Sequence, residues 1–270
     1  MRRMIHPGPR ADQRVQAVPA TLRKIEGTGR AGQTVMQAVA AIFADAGCRG
    51  GMIRLDGAVC DPLRYVLPAF STDGLHAAWY SDPIALEGPA RIGPATATVG
   101  QKDGETFLHC HGIWEGRMGH LLPLDSVLAK DVTLRGLGSP DAWFESLPDA
   151  ETAFTLFQPS GCGEGGVLAR LRPGEDVATA IAALCAQHGI ADARIHGVGS
   201  IDHIRFQDGA RVDCMATELR FADATLRSGR PHLPIEVVDT DGRIHEGVLT
   251  EGMNPVGVTV ELIIEPEKLS

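Results

Sequence analysis

The residues best suited to chemistry are three histidines. His109 and His111 flank Cys110, and His120 follows after a short Gly-containing stretch. Residues two apart on a strand point to the same face, so His109 and His111 project together while Cys110 points away. Glu115 and Gly116 fit a two-residue hairpin turn, with Gly supplying a positive φ. In that register Trp114 faces Arg117, Ile113 faces Met118, Gly112 faces Gly119, and His111 lies opposite His120. Opposed residues have Cβ atoms roughly 4.5–5.5 Å apart, so three imidazoles converge. Zinc accepts imidazole nitrogen at about 2.0–2.1 Å, and three histidines with one open position form a reactive site. The expectation is one metal per chain held by His109, His111 and His120. Zinc stands ahead of nickel, cobalt, copper or iron, because affinity order alone does not select a metal. Gly112 and Gly119, lacking side chains, are expected to leave room for the rings.

The elements that position this hairpin occur twice. Laying residues 32–65 on 174–207 without gaps matches Gly32/Gly174, Val35/Val177, Ala38/Ala180, Gly47/Gly189, Ile53/Ile195 and Gly57/Gly199. Matches at one constant shift indicate a duplicated unit. Each copy begins with an amphipathic helix, apolar at Val35, Val39, Ile42 and Phe43 or at Val177, Ile181 and Leu184. Gly47 and Gly189 stand where a helix end favours a left-handed residue, and a strand-like run follows. Later, FLHCHGIWEGRMGHLL corresponds to PHLPIEVVDTDGRIHEGVL, each a strand, a turn and a strand. The pattern predicts an α+β fold of two related domains, each a mainly antiparallel sheet with packed helices. The expected divisions are a flexible arm at 1–20, a first domain at 21–135, a turn-rich linker at 136–166 and a second domain at 167–270.

Composition narrows the function. The 270 residues are 44% hydrophobic and 22% charged, without an apolar run near the roughly 20 residues of a membrane span. The basic start is not followed by a signal-peptide core, so the expected location is cytoplasmic. Six cysteines without a CxxC pair are expected to be reduced thiols. A net charge of −9 disfavours nucleic acid, whose binding proteins carry basic surfaces. GxSxG elbows, P-loops and strand-linked GxGxxG fingerprints are absent.

The histidine hairpin resembles the PPC domain, the plant and prokaryote conserved domain, in its bacterial form, where HLHxSL and GGHL strings flank a turn. His109, Cys110 and His111 match the first string, and Gly119, His120 and Leu121 match the second. Tandem domains of this kind would cover most of both halves. The resemblance implies an α+β fold, assembly as a homo-oligomer (usually a trimer) and a histidine metal site. Plant relatives add AT-hooks that bind DNA; the nearest string here, Ser228 to Pro231, is SGRP and lacks the flanking basic cluster. In the second copy His232 takes the place of His109, but Pro234 and Val248 replace His111 and His120. His245 lies about four strand positions from His232, roughly 13 Å, and does not restore the set. Thr259 and Glu261 resemble the family's TxE ending, where the first copy offers Thr133 and Arg135.

Three further residues are candidates for substrate binding. Arg54, whose counterpart is His196, could bind a carboxylate, and His76 and Tyr80, grouped with Trp79, could line a pocket mouth. Glu115 sits at the hairpin tip, too far from His111 to serve as its base. The reading is a metal-dependent enzyme acting on a small, carboxylated organic molecule by hydrolysis, hydration or dehydration, or lyase chemistry. The alternative is a non-catalytic metal- or ligand-sensing regulator that contacts DNA or protein.

Overall fold

The computed structural model describes residues 3–267. Residues 1–2 of the expected arm and 268–270 of the expected second domain lie outside the described residues. The first of two large sheets runs Arg23–Gly29, Val132–Ser139, Gly50–Arg54, Ala90–Lys102, Glu105–Trp114, Arg117–Leu121. The second runs Gly166–Leu171, Val256–Pro266, Ala193–Ile201, Glu218–Phe221, Pro234–Val238, Ile244–Val248. Both series are antiparallel, and in both the final strand inserts between the first two. The halves therefore share one topology.

Among the described residues there are two helices, α1 (Val35–Asp45) and α2 (Val177–Gln187). The architecture is mainly β, which corrects the expected α+β class with packed helices. The short apolar runs outside the two periodic segments pair as strands, and only α1 and α2 sustain a helical period. Thr34 caps α1 by accepting from the Gln37 amide, while the Gln37 side-chain oxygen accepts from the Thr34 amide. Asp176 caps α2 by accepting from the Thr179 amide. Gly47 (φ 59°) and Gly189 (φ 68°) end the helices, and Cys48 and Ile190 donate back to the Phe43 and Cys185 carbonyls.

Strand alternation divides each sheet into two buried faces. One face of the first sheet packs Ile53, Ala97, Val99, Leu108, Cys110 and Leu134 under α1. One face of the second packs Ala169, Ile195, Leu219, Ile235, Leu262 and Ile264 under α2. The remaining faces meet each other through Met52, Leu137, Phe144, Leu168 and Ile263. The order of layers is helix, sheet, sheet, helix, and the histidines project into the seam between the sheets.

Two expected segments differ. The N-terminal arm contains strand Val15–Ala20, paired with Gly166–Leu171 at the edge of the second sheet. The expected linker holds the end of Val132–Ser139 and a hairpin, Ala142–Pro148 with Thr155–Gly161. Its glycines read as turn-formers, yet Gly136 and Gly138 lie inside a strand: a Cβ on Gly136 would stand 2.1 Å from the Met52 oxygen.

Candidate metal centre

Glu115 (φ 48°) and Gly116 (φ 71°) both adopt left-handed conformations, the requirement of a tight hairpin turn. The turn sets the register Trp114 to Arg117, Ile113 to Met118, Gly112 to Gly119 and His111 to His120. Glu115 is exposed and accepts from the Arg91 amide, away from the histidines. The flanking glycines serve a different purpose from the expected one. A Cβ on Gly112 would meet the Ala95 Cβ at 2.4 Å, and one on Gly119 would meet the Val66 oxygen at 2.5 Å. They allow close packing away from the imidazoles rather than making room for them.

One nitrogen from each of His109, His111 and His120 falls within 4.8 Å of the other two. His111 Nδ1 lies 2.8 Å from the Leu219 carbonyl oxygen, which can only accept, so Nδ1 carries the proton and Nε2 is left with a lone pair. His109 Nδ1 lies 3.0 Å from Glu261 Oε2, which orients its ring in the same sense. These are the outer partners that hold a histidine ligand's tautomer and direction. The two Nε2 atoms face each other at 3.0 Å. Two lone pairs at that separation repel unless a cation lies between them. A shared proton would satisfy two nitrogens, but His120 Nδ1 is also buried without a partner. The donor set therefore fits a transition metal.

The second half supplies two carboxyl groups to this seam. Glu261, 1% exposed, also accepts from the Thr98 hydroxyl. Glu218 Oε1 stands 3.9 Å from His111 Nε2 and 3.8 Å from His120 Nδ1, and its Oε2 has no partner. Burial holds the Glu218 carboxyl well above the usual range. Burial, reinforced by His109, holds His111 and His120 well below the usual imidazole value. Burial thus disfavours the charged form of all three groups in the metal-free chain.

Sequence reasoning placed the three histidines but missed Glu218. Its signal was an acidic residue in ELRF, a run whose Leu219 and Phe221 suit a buried strand. Glu261 was noted only for its family likeness, and its contact with His109 depends on the packing of the two sheets. The degenerate copy keeps the hairpin register, with Pro234 opposite Val248 where the first copy has His111 and His120. His245 is tied to Asp239 at 2.8 Å.

Of the expected substrate-binding residues, two border the histidines. A cavity of about 60 Å³ touches Tyr80, His109, His111 and Glu218. A larger one, about 390 Å³, opens beside His109 and His120 and includes His76, Tyr80 and Glu261. The Tyr80 ring stands 5.1 Å from that of His120. Burial of its hydroxyl, with Glu218 and Glu261 nearby, raises the Tyr80 pKa. His76 is fixed by Asp73 at 2.6 Å and packs on Trp79 with ring centroids 4.3 Å apart. Arg54 does not join them. It lines a separate cleft with Arg135, Arg194 and His196, and its guanidinium is paired to Asp56 at 2.7 Å.

Among solved structures, a metal-containing protein from Archaeoglobus fulgidus is 17% identical, covering 52% of this chain and 95% of its own, with a TM-score of 0.41. The plant- and prokaryote-conserved (PPC) protein of Pyrococcus horikoshii is 18% identical over 51% of this chain and 94% of its own, with a TM-score of 0.37. A protein from Ralstonia eutropha with a provisional DNA-binding name is 15% identical over 53% and 94%, also at a TM-score of 0.37. No curated protein matches the chain. Residues 160–267, the half without the histidine set, match the family model of the Plants and Prokaryotes Conserved (PCC) domain.

Proposed function

We propose that the chain is a metal-dependent enzyme built from two PPC-type domains, with His109, His111 and His120 holding one divalent transition metal, zinc foremost. The observation that carries this reading is the opposition of the His109 and His111 Nε2 atoms at 3.0 Å beside a third buried, unpartnered imidazole nitrogen. When bound, such a metal supplies Lewis-acid chemistry suited to hydrolysis, hydration or dehydration, and carbon–carbon lyase reactions on a small organic molecule.

The chain's own groups complete the site. Glu261 and the Leu219 carbonyl orient His109 and His111. Glu218 can hold or move a proton at Oε1, within reach of the same space. Packing between two sheets keeps bulk water away and strengthens each electrostatic contact. Loss of the ligand set in the second copy leaves that domain free to provide carboxyl groups and walls. No helix among the described residues is long and apolar enough to cross a membrane. Direct DNA contact is not part of the proposal, given the net charge of −9. Assembly as a homo-trimer is retained from the resemblance and is checked by light scattering.

The test is turnover by zinc-loaded protein on a panel of small esters, lactones and hydroxy-carbonyl compounds. Turnover lost in both His111→Ala and Glu218→Gln supports the reading. Zinc-loaded protein that turns over nothing, but binds DNA with an affinity that falls steeply with salt, would establish the regulator instead.

A further inference from the structure

The two cavities beside the histidines have walls whose chemistry selects a ligand. Resting on the metal-site reading above, we infer that the site takes a neutral, flat aromatic molecule that turns a carbonyl or hydroxyl oxygen toward the histidines. This replaces the carboxylated substrate suggested by the sequence.

Charge is the first ground. Neither cavity has a lysine or arginine among its described lining residues; the ionisable groups there are histidines, Tyr80, Glu218 and Glu261. A carboxylate would be drawn by the metal but opposed by the two carboxyl groups that line the same space, with no lysine or arginine to pair with and the full cost of desolvation. Arg54, the residue that would have answered it, belongs to the other cleft. A cationic ligand is opposed by the metal's own charge.

Shape is the second ground. The larger cavity is walled by Trp79, Phe107, Phe154 and Phe157. Trp79 and Phe154 lie with centroids 5.3 Å apart and planes tilted 31°, and His76 closes the group at 4.7 Å from Phe154. His76 is held through Nδ1 to Asp73 and packs on Trp79, so it acts as a fixed wall. Trp79 is 43% exposed, leaving a large apolar face uncovered at the mouth. Such faces favour stacked or edge-on rings. A volume of about 390 Å³ lies at the lower end of the range for ligand pockets and suits one or two rings.

Calorimetric titration of the full-length, zinc-loaded chain tests this with three one-ring probes: acetophenone, benzoate and cyclohexyl methyl ketone. Acetophenone is expected to bind at least about tenfold more tightly than either of the others. Trp79→Ala should weaken it about fivefold, the order of one aromatic contact. Trp79→Phe should restore it, with zinc affinity the same in all three proteins. Benzoate or the cyclohexyl ketone binding as well as acetophenone, no binding by any probe, or an unchanged affinity in Trp79→Ala would overturn the inference. Titrating zinc into the same chelator-treated protein separates the two readings. A chain that takes no zinc yet binds acetophenone in a Trp79-dependent way defeats the metal site and keeps the ligand class. Zinc uptake without aromatic preference does the reverse.

Discussion

Replacing Glu218 with Gln in the metal-free chain should change how stability depends on pH, and the sign follows from burial. The carboxyl is 5% exposed, with His111 and His120 as neighbours at 3.9 and 3.8 Å. Its folded pKa lies well above the ordinary 4.5, so above pH 4.5 the native chain keeps a proton that the unfolded chain releases. Stability from this group falls by about 1.4 kcal/mol per pH unit as pH rises from 4.5 toward the folded value. His111 and His120 act oppositely. Their folded values lie well below 6.5, so as pH drops beneath 6.5 the unfolded chain takes up two protons that the native chain refuses. That costs about 2.7 kcal/mol per unit from the pair. Between pH 4.5 and 6.5 the two effects oppose each other, and the slope from the histidine pair is the larger. The amide introduced by Glu218→Gln cannot release a proton, so in that variant the opposing slope above pH 4.5 disappears and the loss of stability on acidification below pH 6.5 becomes steeper. Urea unfolding at half-unit steps from pH 5 to 8, after chelation, gives both curves. All other titrating groups are shared, so the difference between the proteins isolates Glu218. That difference should slope by about 1.4 kcal/mol per unit until the folded pKa is passed. Parallel curves would refute the claim that burial raises the pKa of this carboxyl.

Two other outcomes follow from the same geometry. Glu261→Gln keeps the size of the group but weakens its hold on His109 Nδ1, and should lower zinc affinity about 10- to 100-fold in a chelator competition, with little change in fold. Gly112→Ala drives a methyl to 2.4 Å from the Ala95 Cβ, and overpacking of that kind should destabilise the chain by about 1–3 kcal/mol in thermal unfolding.

The histidine geometry was legible because it depends on two local rules, the two-residue period of a strand and the register imposed by a tight turn. Both act within the twelve residues from His109 to His120. The duplication was legible for a related reason: the helix caps and glycine stops recur at one shift, and the helices ending at Gly47 and Gly189 follow it. Glu218 and Glu261 could not be placed because their roles arise from the seam between sheets, set by packing of Met52 and Leu137 on Leu168 and Ile263. Local pattern carries no information about which sheet faces meet. Arg54 misled for the converse reason. Its strand is central, but the side chain leaves at the strand end and folds back onto Asp56. Glycines misled too, since Gly112, Gly119, Gly136 and Gly138 permit close approach within strands rather than turns or open space.

The central claim is that three imidazoles of the first half hold a metal. X-ray absorption at the zinc edge, on the full-length chain loaded to one equivalent, addresses it directly. The account predicts one zinc per chain with three imidazole nitrogens at about 2.0–2.1 Å and a light-atom ligand completing the shell, lost in His111→Ala. A sulfur ligand, fewer than three imidazoles, or a spectrum and affinity unchanged by His111→Ala would contradict it.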